Sequence, residues 1–163
     1  MAAWRASSVA DPPATPAEIA AFGALIDRWA AGERETNELV AHVEYVPDER
    51  RWLVRLRGDD KAVITVWLTL RERTLAYETY FMPAPEENIE RCWEYLLRLN
   101  ARLYGMRFAI GAEDAVYLMG QVALKAVDEE ELDRIVGASY AYTEQYFRSA
   151  LAIGFASRVK TLG

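Results

Sequence analysis

The fold is decided by residues 51–82, RWLVRLRGDDKAVITVWLTLRERTLAYETYFM, in which three stretches have the pattern of β-strands. In the first, apolar side chains recur at every second position from Trp52 to Leu56, as in a strand with one buried face. Residues 62–70 carry apolar side chains at both odd and even positions, which predicts a central strand with both faces covered. The next strand, residues 75–81, follows a short turn. Because a parallel crossover needs a dozen or more residues, these short links predict antiparallel pairing.

A helix is predicted before the sheet, and its start is marked by Thr15, Pro16 and Glu18. Thr15 is a capping residue, proline is favoured at the first helical position, and an acid three residues after the cap completes a capping box. Gly32 is placed to end the helix in a left-handed conformation. A further strand near residues 43–45 leads from this helix into the sheet. Apolar residues at steps of three and four define the buried face of the helix: Ile19, Phe22, Ile26 and Trp29.

Two more helices and two more strands are predicted downstream. The proline-rich segment 82–85 stops the sheet, and a second helix runs from about residue 85 to a glycine cap at 105. Strands follow at 107–110 and 115–122, and a third helix runs from Asp128 to Gly154. The second helix carries an apolar stripe that we expect to face the core: Ile89, Cys92, Trp93, Leu96, Leu97 and Leu103.

This order of elements predicts an α+β fold in which helices pack against an antiparallel sheet. The succession is helix, three or four strands, helix, two strands, helix. We place a single domain at residues 15–158, a flexible N-terminal arm at residues 1–14 and a C-terminal tail at residues 159–163.

Composition and charge restrict the classes of function. The 163-residue chain has 25 acidic and 19 basic residues, for a net charge of −6, which argues against nucleic acid or an anionic membrane as the main partner. One cysteine and one histidine nearly exclude a disulfide framework or a Cys/His zinc site. We find neither a secretory signal nor a membrane-spanning apolar run, and the unpaired cysteine suits a reducing compartment, so we expect a cytoplasmic location.

No residue stands out as catalytic, and no cofactor or metal site is predicted. His42 could act as a general base only beside a nucleophile and an orienting group, so we favour a histidine at the solvent edge. Cys92 lies on an apolar stripe and is predicted to be a buried thiol with a raised pKa. The acidic clusters at 59–60, 113–114 and 128–131 are each explained by a turn or a helix start. Phosphate-loop and serine-elbow motifs are absent from the sequence.

Arg51, Arg55 and Arg57 point to the same face of a predicted strand, and Arg50, Arg71 and Arg73 lie in nearby turns. Such a row could bind phosphate or a carboxylate-rich peptide, because a guanidinium group pairs with both. The acidic balance of the chain favours the competing interpretation, a solvated outer face whose charges also protect the strand edges. The row is the candidate site for an anion or a partner.

The aromatic residues are more numerous than one small core requires. Alternation places Tyr80 and Met82 on the opposite face of their strand from Tyr77 and Phe81, so some apolar surface must leave the core side of the sheet. Exposed surface of this kind marks an association site, and tyrosine suits such surfaces. We therefore predict a homodimer rather than a monomer. The candidate interface residues are Tyr80, Met82, Tyr142 and Tyr146.

Five segments of the chain resemble actinobacterial proteins with a YbjN domain, a family similar in fold to the type III secretion chaperones. The resemblance extends over residues 15–158 and implies a helix–strands–helix–strands–helix domain that commonly pairs as a dimer. Proteins of this fold include chaperones that hold a partner segment in extended form, and the YbjN branch is described as regulatory. No catalytic residues are implied. The segments are RWLVRLRG at 51–58, VITVWLTL at 63–70, YETYFMPAP at 77–85, YGMRFAIGAEDAVY at 104–117 and YFRSALAIGFASR at 146–158.

The resulting prediction is a non-enzymatic, chaperone-like or regulatory module that binds protein as a homodimer. The alternative is a small-molecule sensor that binds an anion through the arginine-lined face of the sheet. A third possibility, a hydrolase or transferase, requires a pocket with converging titratable groups, which only a structure can reveal.

Overall fold

The computed structural model describes residues 11–161, which form four α-helices and six β-strands joined by short turns. The elements in chain order are α1 (Pro16–Thr36), β1 (Val40–Val46), β2 (Arg51–Arg57), β3 (Val63–Leu70), β4 (Thr74–Met82), α2 (Ile89–Asn100), β5 (Arg107–Ile110), β6 (Val116–Ala123), α3 (Glu129–Gly154) and α4 (Ala156–Thr161).

The six strands form one sheet in the order β1-β2-β3-β4-β6-β5, and every neighbouring pair is antiparallel. The first four strands are hairpin neighbours, as their short links require. After α2 the chain returns to the far edge of the sheet, where β6 pairs with β4 and β5 lies outermost. The predicted α+β class and antiparallel sheet are confirmed, and β1 and β5 are the two edge strands.

The two faces of the sheet differ in their surroundings. Ile64 and Leu68 of β3 are completely buried on the inner face, against which α1 and α3 pack. On the outer face, Trp67 is half-buried and Val63 is exposed. The prediction that both faces of this strand are covered is therefore wrong, although its central position is confirmed. Trp67 is shielded by a neighbouring side chain, since the guanidinium carbon of Arg51 lies 4.2 Å from the centre of its ring.

The start of α1 is confirmed and its predicted end is wrong. The Glu18 N–H donates to Thr15 Oγ1 at 3.3 Å, and the Thr15 N–H donates to Glu18 Oε2 at 2.7 Å, which completes the capping box. The helix continues past Gly32 to Thr36, where the Asn37 N–H bonds to Glu33 O at 2.9 Å. A glycine inside a helix costs only about 1 kcal/mol relative to alanine, and this continued bonding offsets it.

Helix α2 is shorter than predicted at both ends. The N–H groups of Glu86 and Glu87 donate to the carbonyl of Gly154, at 3.0 and 2.9 Å, so the segment before α2 is tied to the end of α3. At the other end, the side chain of Asn100 exchanges two hydrogen bonds with the backbone of Phe108 in β5. These contacts turn the chain toward β5 well before Gly105.

Helix α3 follows the prediction closely. Asp128 caps it by accepting the Glu131 N–H at 2.8 Å, and the helix ends at Gly154. Its residues Leu132 and Ile135 are completely buried beneath the inner face of the sheet. The helix is therefore a major part of the cover over the core.

The ends of the proposed domain make specific contacts in the described range. Residues 1–10 of the proposed N-terminal arm lie outside the described residues. Asp11 accepts hydrogen bonds from Arg73 and Lys125, and the Ala14 N–H donates to Glu72 O at 2.8 Å. Residues 159–161 of the proposed C-terminal tail belong to α4.

Candidate functional site

An apolar groove lies between α2 and the edge strand β5. Its volume is about 280 Å³, and Trp93 and Leu97 of α2 line it together with Phe108 and Ile110 of β5. Leu97 is 68% exposed and Ile110 is 57% exposed. Two large aliphatic residues on separate elements thus meet solvent at one site, which is the pattern of an association surface.

The groove arises because α2 carries two apolar rows rather than one. Cys92, Leu96 and Leu99 face the core and are buried. Ile89, Trp93 and Leu97 follow one another at steps of four, and this second row is half-buried or exposed. The prediction that Ile89 and Leu97 face the core is therefore wrong. The width of the apolar stripe is the feature of the sequence that corresponds to this second, more exposed row.

Asn100 occupies the free backbone edge of β5 at the groove. Its side-chain oxygen accepts the Phe108 N–H at 2.7 Å, and its amide nitrogen donates to Phe108 O at 3.1 Å. These are the backbone groups that an added strand would need at this position. Asn100 therefore blocks the addition of a strand at Phe108.

Three charged residues of α2 lie beside Trp93 and Leu97, on the side of these residues away from β5. Glu90 and Glu94 lie in the first half of the helix and Arg98 lies in the second half. Arg98 donates to Glu94 Oε1 from Nε and Nη2, at 2.8 and 2.7 Å. Glu90 thus lies at one end of this row of charges and Arg98 at the other.

The three predicted arginines lie on the outer face of the sheet, but they do not form one site. Arg51 donates to Glu78 Oε1 at 2.9 Å, and Arg57 donates to the carbonyl of Glu38 at 3.0 Å. Arg55 is exposed and pairs in register with His42 of β1. Arg51 lines a cavity on this face that neither Arg55 nor Arg57 lines.

That cavity occupies about 360 Å³ on the outer face, and it brings Arg51 together with Arg71 and Arg107. The three arginines come from β2, from the turn after β3 and from β5. The sequence does not reveal this grouping, because it depends on the return of the chain to the far edge of the sheet. The sequence analysis placed Arg71 in a turn near the arginine row but did not include it among the candidate residues, and it missed Arg107.

The four predicted interface residues do not form one surface. A β-bulge between Tyr80 and Met82 changes the alternation, so Met82 is completely buried and is removed from the candidate interface. Tyr80 is exposed on the outer face, where its ring meets that of Tyr117 edge-on at 5.6 Å. Tyr142 and Tyr146 are half-buried neighbours on α3, with ring centres 6.4 Å apart.

The remaining candidates have local explanations. His42 is exposed on β1, with its Nε2 atom 3.5 Å from Glu44 Oε2. Cys92 is a free, completely buried thiol, and burial raises its pKa, as predicted. Residues 11–161 contain no group of three or more histidine, cysteine or acidic side chains placed to hold a metal ion. In the same range, no helix has the length and apolar character needed to cross a membrane.

The loop between β2 and β3 is held by Glu144 of α3. The Glu144 carboxylate accepts the backbone N–H groups of Asp59, Asp60 and Lys61, at 2.8, 2.9 and 3.1 Å. Burial alone would raise the pKa of Glu144, but these hydrogen bonds outweigh it and the pKa is lowered. The Lys61 ammonium donates to the carbonyls of Tyr80 and Phe81, and its burial lowers its pKa to about 8.

Comparison with known proteins identifies relatives and a fold neighbour. The YbjN family model, described as "Putative bacterial sensory transduction regulator", matches residues 37–152. Uncharacterized proteins of Mycobacterium tuberculosis and Mycobacterium bovis are each 35% identical over 108 residues, or 66% of this chain. An uncharacterized protein of Mycobacterium leprae is 30% identical over 116 residues, or 71% of this chain. The matches span 59% of the length of the first two relatives and 63% of the third.

Among solved structures, the Yersinia pestis type III secretion chaperone SycH, crystallised in complex with a stable fragment of YscM2, has a similar fold. The TM-score is 0.53 at 15% sequence identity, and the alignment covers 75% of this chain and 96% of SycH. At that level of identity the likeness concerns the fold alone.

Proposed function

The chain belongs to the YbjN family, and from that premise we propose that it is a non-enzymatic regulatory module that binds protein and works as a homodimer. The observation that carries the homodimer is the apolar groove between α2 and β5, with Leu97 and Ile110 exposed on its two sides. We propose that a second copy of the chain occupies this groove.

Burial of the exposed row supplies the driving force for association. Each square ångström of apolar surface removed from water contributes roughly 25 cal/mol. Ile89 is 49% exposed, and it extends the patch formed by Leu97 and Ile110 along the first turn of α2. Since Asn100 occupies the backbone edge of β5, contact between helices accounts for the association better than strand addition does.

The order of charges along α2 supports a second copy as the occupant. In a two-fold dimer the same surface is used on both subunits, and we propose that the two facing α2 helices run antiparallel. In that arrangement Glu90 of one copy lies near Arg98 of the other. A surface that is complementary to itself in this way favours self-association.

The protein-binding part of the proposal rests on the family and the fold. The family description is that of a sensory transduction regulator, and the fold neighbour SycH was crystallised with a fragment of another protein. We propose that this chain likewise binds a segment of a partner protein, with the dimer as the working unit.

The test is a mass measurement by light scattering at micromolar concentration, on the wild type and two variants. We expect twice the 18.5 kDa monomer mass for the wild type and the monomer mass for Leu97→Glu. The matched control is Leu39→Glu, a change of the same kind at an exposed leucine before β1, and it should remain dimeric. A monomeric wild type, or a Leu97→Glu variant as dimeric as the control, would overturn the proposal.

A second candidate function is sensing of a small anion on the outer face of the sheet. The observation that favours it is the cavity in which Arg51 lies with Arg71 and Arg107. Arg55 and Arg57, which the sequence grouped with Arg51, do not line this cavity. Of the three arginines first predicted for the sensor hypothesis, only Arg51 lines the cavity, and Arg71 and Arg107 are added to the candidate site.

A further inference from the structure

We propose that the outer-face cavity beside Arg51 binds a small-molecule anion with two phosphate or carboxylate groups. The proposed ligand site deepens the second candidate function and does not depend on the dimer. It lies on the outer face of the sheet, lined by Arg51, Arg71 and Arg107, whereas the α2–β5 groove has a separate set of lining residues.

The charge of the cavity lining is opposite to that of the chain. Its charged residues are the three arginines and one carboxylate, Glu78, so the lining has a net charge of +2, while the whole chain carries −6. Guanidinium groups bind phosphate and carboxylate oxygens through paired hydrogen bonds. A local excess of arginine on an acidic protein thus concentrates small anions at this place.

Arg51 is already held in position for such a ligand. Its guanidinium lies over the Trp67 ring at 4.2 Å, and its two Nη atoms donate to Glu49 and Glu78. Its Nε atom is buried and has no acceptor among the described residues. A buried donor without an acceptor is unfavourable. Arg51 also has N–H groups on its two Nη atoms beyond those that bond to Glu49 and Glu78, so an anion beside its guanidinium has donors to accept from.

Glu78 is a positioning residue rather than a ligand contact. Its carboxylate fixes the guanidinium of Arg51 by an ion pair of 2.9 Å. A carboxylate in the lining also repels anions, so a singly charged anion gains little there. A ligand with two anionic groups can pair with Arg51 through one group and with Arg107 through the other, and so gains an attraction that a singly charged anion lacks.

The size and floor of the cavity limit the ligand to a small molecule. A volume of about 360 Å³ lies at the lower end of the range for small-molecule sites. Ala76 and Met119 provide apolar floor, and Thr69 and Gln121 provide hydrogen-bonding groups. Arg107 pairs in register with Met119, and Met119 pairs with Glu78. The backbone of Arg107 therefore lies two strands away from that of Glu78, the residue whose carboxylate holds Arg51. Two strand steps are about 10 Å, a span suited to a compact dianion.

The test measures binding to the whole chain by calorimetry, with four probes: inorganic phosphate, pyrophosphate, citrate and ADP. We expect pyrophosphate or citrate to bind at least tenfold more tightly than phosphate. A preference for citrate identifies a carboxylate ligand, a preference for pyrophosphate a phosphate ligand, and tighter binding of ADP a nucleotide.

The exposed arginine of the far wall provides the decisive variant. Arg107→Gln should lower the affinity for the tightest-binding probe at least tenfold. The control Arg55→Gln, on the same face but outside the cavity, should bind that probe as tightly as the wild type does. Leu97→Glu, the variant designed to be monomeric, should also bind this probe as tightly as the wild type does. That result would show that anion binding does not depend on the dimer. The proposal is overturned if no probe saturates the protein below millimolar concentration, or if Arg107→Gln and Arg55→Gln bind equally well.

Discussion

Leu97 on α2 and Ile110 on β5 lie on opposite sides of one groove, and each is more than half exposed. Their exposure leaves apolar surface in contact with water, although both elements already bury other residues in the core. Leu96 of α2 and Phe108 of β5 fill that role. The pair therefore defines the surface on which our account of a dimer depends.

The β-bulge in β4 predicts a contrast between two neighbouring large residues. Met82 is completely buried while Tyr80 is exposed on the outer face. Truncation of a buried methionine leaves a cavity and typically costs about 2–5 kcal/mol. We expect Met82→Ala to lower the free energy of unfolding by that amount in a urea titration and Tyr80→Ala to lower it by less than about 1 kcal/mol. Equal losses would mean that the bulge is wrongly placed.

The sequence was a good guide where a local rule controls the structure. The capping box at Thr15 and the cap at Asp128 each depend on residues three positions apart, and both form as predicted. The antiparallel strands follow from alternation and short links. These features were predictable because the residues that determine them are close together in the chain.

Features that depend on distant contacts could not be predicted. The bulge that buries Met82 arises in the pairing of β4 with β6, some forty residues later. The start of α2 is displaced by bonds to Gly154, and Arg107 reaches the cavity of Arg51 only through the order of strands in the sheet. In each case a partner far away in sequence overrides the local signal.

Glu144 is expected to hold the β2–β3 loop in place. A glutamine at this position keeps only one oxygen, so at least one of the three backbone N–H groups of residues 59–61 loses its acceptor. Because the site is partly exposed, we expect Glu144→Gln to cost about 1 kcal/mol of unfolding free energy.

The control for this variant is Gln145→Ala, at the exposed neighbouring position of α3. It should leave the stability unchanged. Hydrogen exchange should accelerate at residues 59–61 in Glu144→Gln and not in the control. Unchanged exchange at those amides in Glu144→Gln would contradict the role assigned to the carboxylate.

Lys61 gives the protein a distinct dependence on alkaline pH. Burial lowers its pKa to about 8 in the folded state, whereas an unfolded lysine has a pKa of about 10.4. Between these values the unfolded chain binds more protons, so the contribution of Lys61 makes stability rise with pH. Tyr80, Tyr140 and Cys92 oppose this rise, because their raised pKa values keep protons on the folded state.

A comparison with Lys61→Met isolates this contribution. The stability of the wild type relative to Lys61→Met should increase from about pH 7.5 to about pH 9.5, measured by urea unfolding at both values. A difference that stays constant, or that decreases, would show that the ammonium group titrates normally.

The most direct test of the dimer is a distance between spin labels on the two protomers. Cys92 is completely buried, so a label attaches at an introduced cysteine, either Glu94→Cys in the middle of α2 or Arg55→Cys on β2. With the α2 helices paired at about 10 Å between axes, labels at residue 94 should show a single separation below about 30 Å. Labels at residue 55 should be farther apart, because β2 lies four strands, or about 19 Å, from β5. The absence of dipolar coupling at residue 94, or a shorter separation at residue 55, would contradict association through the α2–β5 groove.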